Sequence, residues 1–160
     1  MKQFNILFVC YANYCRSPVG EKLLQHYLDE NFKIVSRGLI QFGRNSMDPR
    51  SSKYLTNVGC ELINHTTNKL SYNDVENADL ILAMDSELIM SLATTFKEAI
   101  SKFKLFSFCN GNKYIRDPFK LKVQSEYDMI MREINESALK IQENSNTILG
   151  NKALRNEYRS

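Results

Sequence analysis

Short apolar runs alternate with amphipathic stretches along this chain, and the alternation sets its elements. Phe4-Asn5-Ile6-Leu7-Phe8-Val9 has strand length and one polar break, the pattern of a strand covered on both faces, and it ends in Cys10. After a loop, Ser17-Pro18 reads as an N-cap followed by proline at the first helical position. Val19, Leu23, Leu24, Tyr27 and Leu28 then recur at helical spacing. Lys33 to Ser36 predicts a short second strand. Asp48-Pro49 repeats the cap-and-proline signal for a helix carrying Tyr54, Leu55 and Val58, which Gly59 ends. Ser71 to Asn77 predicts a short helix, Leu80 to Met84 a third buried strand, Ser86 to about Phe96 a helix with an acidic first turn, and Phe103 to Phe108 a fourth strand. Asn110-Gly111-Asn112 is a turn, and a final helix runs from about Ser125 to Gln142 with Tyr127, Ile130, Met131, Ile134 and Leu139 along one side. From Asn144 to Ser160 the residues are polar and weakly patterned, which predicts a flexible or extended tail.

Strand and helix in alternation predict an α/β fold: a small doubly wound, four-stranded parallel sheet of order 2-1-3-4, with helices on both faces and right-handed crossovers. Ligands bind outside the carboxyl ends of such strands at the switch point beside strand one, where Cys10 to Ser17 lie. The 160 residues suit one domain, and 43% apolar with 24% charged residues are ordinary for a soluble protein. No apolar run approaches the roughly 18 residues that span a bilayer. A net charge of +3, scattered along the chain, marks no nucleic-acid face.

The four cysteines, Cys10, Cys15, Cys60 and Cys109, change the picture more. The core is large enough to need no disulfide framework, the chain opens without a signal peptide, and zinc would want paired Cys-x-x-Cys units with more histidine than His26 and His65. A reducing cytoplasmic setting is expected, with Cys60 and Cys109 as inert core thiols. Reactivity is then the reason to look at the others. Tyr11, Ala12, Asn13, Tyr14, Cys15 and Arg16 join a buried strand to a helix N-terminus. Successive backbone N–H groups in such a loop can form an anion nest, the helix dipole adds positive charge, and Arg16 can grip two oxygens of a phosphate. The same field favours the thiolate of Cys10, so the loop couples a nucleophile to the oxyanion it would attack, which implies a phosphocysteine intermediate. Arg16 is electrostatically misplaced at a positive helix end unless an anion sits there. A leaving alkoxide or phenoxide needs a separate acid, and Asp117, fixed by Pro118, lies in the stretch that returns over the same end of the sheet. An ordinary turn aspartate is the alternative.

Cys10 to Pro18 resembles the phosphate loop of the low-molecular-weight protein tyrosine phosphatases, and Asp117-Pro118-Phe119 resembles their mobile acid loop. The similarity continues through Val35-Ser36-Arg37-Gly38, Asp48-Pro49-Arg50, Asn64-His65 and Ala83-Met84-Asp85, to about Leu139. The resemblance implies hydrolysis of phosphotyrosine monoesters with Cys10 as nucleophile, Arg16 as phosphate clamp and Asp117 as acid and base, without metal or cofactor. It implies a supporting network of Asn13, Ser17, Ser36 and His65, Cys15 as a redox guard of the nucleophile, and Phe42 and Phe119 as walls of the slot. The expected partners are phosphotyrosine-containing proteins, with phosphate and other oxyanions as inhibitors; neither nucleic acid nor membrane is expected, and the protein is expected to be a monomer. Departures matter too. Ala12 replaces the family's usual glycine and would be strained at positive φ. Tyr14 replaces a smaller residue, which leaves phosphotyrosine against phosphoarginine open. An arsenate reductase of similar loop would need a relay cysteine pair, and no cysteine lies between Cys60 and Cys109.

Overall fold

The computed structural model describes residues 2–61 and 64–157. In chain order it contains β1 (Phe4–Cys10), α1 (Ser17–Tyr27), β2 (Phe32–Gly38), α2 (Pro49–Asn57), α3 (Tyr72–Asn77), β3 (Leu80–Ala83), α4 (Ser86–Thr95), β4 (Phe103–Leu105), α5 (Gln124–Glu143) and α6 (Ser145–Glu157), with 3-10 turns on either side of β4. All four strands are parallel in the order β2-β1-β3-β4, as expected. The register pairs Cys10 with Gly38 and Val9 with Ala83, so three strands end together beneath the 10–17 loop.

The centre of the sheet is dry on both faces. Ile6 to Val9 and Ile81 to Ala83 are at most 1% exposed, which suits central parallel strands covered by helices. α1 lies against β1 and β2 and packs on α5, and α4 packs on β3 and β4. α1 comes close to β1 at Gly20, where a Cβ would sit 2.8 Å from a ring carbon of Phe8. That ring in turn meets Phe106 edge-on at 4.8 Å.

Five local expectations are corrected. β2 is longer than Lys33 to Ser36, because Phe32 pairs with Phe4 at one end and Gly38 with Cys10 at the other. β4 stops at Leu105; Phe106–Cys109 coil into a 3-10 turn, because the amides of Asn110 and Asn112 both bond the Ser107 carbonyl and pull the chain round. Leu139 is exposed; the buried stripe of α5 is Tyr127, Ile130, Met131, Ile134, Ala138 and Ile141, and Leu139 is one residue out of phase. Cys109 is only partly buried, whereas Cys60 is in the core. The segment expected as an extended tail from Asn144 holds α6, which packs on α5 with Ile148 buried; residues 158–160 lie outside the described residues.

Candidate active site

Cys10 ends β1 and is 3% exposed, with Sγ 2.9 Å from Ser17 Oγ. Ser17 does not cap α1 as the sequence suggests. Arg16 occupies the N-cap with no side-chain cap bond, and the serine hydroxyl turns inward instead. The hydrogen bonds around it have a definite sense. Both donors of the Asn13 amide are engaged, one on Ser17 Oγ at 2.9 Å and one on Ser36 Oγ at 2.8 Å. Each hydroxyl therefore accepts from Asn13 and has its single proton left to give: Ser36 gives it to Glu21 Oε2, and Ser17 can give it to Cys10 Sγ. Ser17 can thus act as a donor to sulfur.

Asn13 is the pivot of the loop. Its φ is +55°, a left-handed conformation that asparagine tolerates. Its Oδ1 accepts from the Asn68 amide at 3.0 Å, and its carbonyl accepts from His65 Nε2 at 3.0 Å. Burial pushes the His65 pKa below its ordinary value, and the bond to the Asn13 carbonyl opposes that shift. Ala12, by contrast, is not among the residues with positive φ, so the departure from the family's glycine costs no backbone strain. The position that does require glycine is Gly38, on the neighbouring strand. A Cβ there would lie 2.8 Å from the Ala12 carbonyl carbon and 2.9 Å from the Asn13 nitrogen.

Among the described residues, no carbonyl or side chain accepts from the backbone N–H groups of residues 11–16. Unpaired amides in successive residues are what a bound oxyanion satisfies. Arg16, 3% exposed, is held at one nitrogen: Nη1 donates to Asp85 Oδ2 at 2.8 Å and to the Ile115 carbonyl at 2.7 Å. Its Nη2 lies 4.0 Å from Asp117 Oδ2. Asp85 also caps α4 through Oδ1, so its position is set by a helix end.

Asp117 is exposed, and its Oδ1 accepts from the Phe119 amide at 3.0 Å, an Asx-turn that Pro118 stiffens. Cys10, Tyr11, Ala12, Tyr14, Cys15 and Arg16 share one cavity of about 370 Å³ with Phe42, Asp117, Phe119 and Lys120. A cavity of similar size, about 390 Å³, opens around Phe4, Leu80, Phe108 and Ile148 and holds none of these residues. Tyr14 is a third wall: its ring is 5.0 Å from Phe42 and 6.0 Å from Phe119, and those two rings are 6.0 Å apart. Cys15 points elsewhere, its thiol donating to Asp48 Oδ2 at 3.7 Å, and burial pushes its pKa up to about 12.

The sequence signals assigned no role to Glu21, Gly38, Arg50 or Asp85, although the last three lie in segments that resemble the family. Glu21 is an acid four residues before Gln25 and is buried with the rest of the first half of α1.

Residues 5–154 match the family model described as low molecular weight phosphotyrosine protein phosphatase. The chain belongs to that family. The low molecular weight protein-tyrosine-phosphatase Etp of Escherichia coli K12 is 33% identical over 144 residues, 88% of this chain and 97% of its own. The solved structure of Vibrio vulnificus Wzb in complex with benzylphosphonate superposes with a TM-score of 0.82 at 28% identity, covering 89% of this chain and 99% of that one. The YwlE arginine phosphatase of Geobacillus stearothermophilus gives the same TM-score at 26% identity, covering 90% and 94%. In this member of the family, residues of the 10–16 loop and Asp117 meet at one cavity.

Proposed function

We infer that this chain is a cysteine-dependent protein-tyrosine-phosphatase, a phosphoric monoester hydrolase. The observation that carries the reading is Cys10 Sγ at the floor of a loop of unpaired amides, with a hydroxyl donor aimed at it and Arg16 and Asp117 on the same cavity. Phosphate enters the loop, its oxygens taking the free amides and the open edge of Arg16. Cys10 Sγ attacks phosphorus, the bond from phosphorus to the aryl oxygen breaks, and Asp117 delivers a proton to that oxygen. Asp117, now a carboxylate, takes a proton from water as the water oxygen attacks phosphorus. The phosphorus–sulfur bond breaks, inorganic phosphate leaves and the thiolate returns. The Ser17 hydroxyl, donating to sulfur, steadies it both before attack and as leaving group.

Three aromatic rings at the mouth suit an aryl ester. Phosphoarginine is the reading favoured by similarity to YwlE, and a turnover comparison of phosphotyrosine and phosphoarginine by wild type and Tyr14→Thr separates the two. Arsenate reduction lacks a relay cysteine pair in the sequence. The reading is supported further by four free thiols, which suit a reducing cytoplasm, and it takes the protein to act as a monomer on phosphotyrosine-containing proteins, with phosphate as a competitive inhibitor. No helix among the described residues is long and apolar enough to cross a membrane. Cys15 as redox guard requires its thiol to leave Asp48 before it can meet Cys10. The deciding experiment is aryl phosphate turnover: Cys10→Ser abolishes it with p-nitrophenyl phosphate, Asp117→Ala slows it by about 100-fold or more with phenyl phosphate, and full activity in either variant refutes the assignment.

A further inference from the structure

Arg50 lies outside the cavity lining, yet its guanidinium joins the two segments that carry the reacting groups. Its Nε and Nη2 donate to Asp48 at 2.9 and 2.8 Å. Its Nη1 donates to the Leu121 carbonyl at 2.7 Å and Nη2 to the Phe119 carbonyl at 3.2 Å. The group stacks on the Tyr127 ring, 4.0 Å from its centroid. The same turn holds the phosphate loop from below: the Asp48 amide donates to the Tyr14 carbonyl at 3.0 Å, and Ser51 Oγ donates to the Cys15 carbonyl at 2.9 Å. Ser51 has no second proton, so the Tyr127 hydroxyl, 2.6 Å away, donates to it.

The strap reaches the acid through one residue. Phe119 gives its carbonyl to Arg50 and its amide to Asp117 Oδ1, so the residue that Arg50 fixes is the one that orients the carboxylate. We propose that Arg50 is a positioning residue for the two proton transfers, holding the Asp117 segment at a set distance from the Cys10 loop through Asp48, Phe119 and Leu121. The family resemblance implies a mobile acid segment; here Phe119 and Leu121 are held by Arg50 on one side of Asp117, and Ile115 by Met84 and Arg16 on the other. This inference rests on the phosphatase reading.

The test is kcat/KM for a series of aryl phosphates whose leaving phenols range from acidic to weakly acidic. Arg50→Ala should lose about 30- to 100-fold with phenyl phosphate, the scale of a misplaced catalytic group, and less than about 5-fold with p-nitrophenyl phosphate, whose leaving group needs little acid. Arg50→Lys, which keeps the charge and the fold but not the fork of donors, should fall between wild type and Arg50→Ala with the same leaving-group trend. In an Asp117→Ala background, Arg50→Ala should cost almost nothing more, because the group it positions is gone. An equal loss across the series, no loss at all, or full additivity with Asp117→Ala would overturn the inference. Should Asp117→Ala itself leave the leaving-group dependence of wild type unchanged, the phosphatase reading fails at its acid, and the positioning role goes with it.

Discussion

Gly38→Ala isolates what the phosphate loop needs from its neighbour. The substitution adds one carbon, 2.8 Å from the Ala12 carbonyl carbon, 2.9 Å from the Asn13 nitrogen and 3.1 Å from the Tyr11 carbonyl oxygen. Carbon pairs rest at about 3.5–4.0 Å, so the new atom must move by about 0.7 Å or displace the loop by that much. Gly38 cannot retreat. Its amide donates to the Asn68 carbonyl and its carbonyl accepts from Leu70, both at 2.8 Å, and the next two amides bond the carbonyls of Cys10 and Tyr11. All three clashing atoms are backbone of the loop, so no side chain can rotate to make room. The loop therefore shifts, and with it the amides that would hold phosphate. Overpacking of this kind costs about 1–3 kcal/mol of stability, whereas displacement of a catalytic array by close to 1 Å costs about 100-fold in rate. Urea unfolding should show a modest loss, while p-nitrophenyl phosphate kcat/KM falls by about 100-fold and the inhibition constant of inorganic phosphate rises alongside. A variant with wild-type kcat/KM would show that the apposition of β2 and the loop does not shape the site.

Three other outcomes are expected. Asp85→Asn keeps an acceptor for the Leu88 amide but removes the charge partner of Arg16, so kcat/KM should fall about tenfold with little change in urea midpoint, while Asp85→Ala loses the helix cap as well and about 1 kcal/mol of stability; wild-type kcat/KM in Asp85→Asn would refute the anchoring of Arg16. Burial holds His65 neutral with its pKa below the ordinary value, so on acidification the unfolded chain takes up the proton first. Stability is complete above about pH 6.5 and declines below it, and His65→Gln should flatten that decline in urea titrations at successive pH; an unaltered slope would contradict it. Arg44, Arg116, Lys120 and Lys122 are all exposed around the acid segment and the Phe42 loop, so kcat/KM for a phosphotyrosyl peptide with acidic flanks should drop as salt rises, while that for a neutral peptide stays level; equal salt dependence would argue that these cations are only solvated.

The chain announced what is local. The alternation of apolar runs, the proline after Asp48 and the spacing of Cys10 and Arg16 each depend on residues within one turn or one strand of each other, and they placed the sheet order and the loop. Ser17 shows where that reasoning stops. Serine before proline signals a cap, but the hydroxyl instead accepts from the Asn13 amide and meets Cys10 Sγ, contacts that no local signal reveals. Phe106 likewise has strand composition, and only the turn closing on the Ser107 carbonyl, with its packing on Phe8, converts it to a 3-10 coil.

The residues whose roles were not legible in sequence share a physical reason. Asp85 meets Arg16 across 69 positions, and Arg50 meets Leu121 across 71. Their local partners, the Leu88 amide for Asp85 and the Asp48 carboxylate for Arg50, are ordinary at a helix start and do not mark the distant contact. Their roles follow from the fold bringing helix N-termini to the carboxyl edge of one parallel sheet. Asp85 opens α4, Asp48 opens α2 and Arg16 opens α1, so three helix starts meet at the 10–17 loop. The two acids are placed as caps and then reused: Asp85 also pairs with Arg16, and Asp48 also pairs with Arg50. A capping residue at such an edge therefore has two ways to fail, and the asparagine and alanine variants of Asp85 separate them: the cap reads out in stability, the carboxylate in rate.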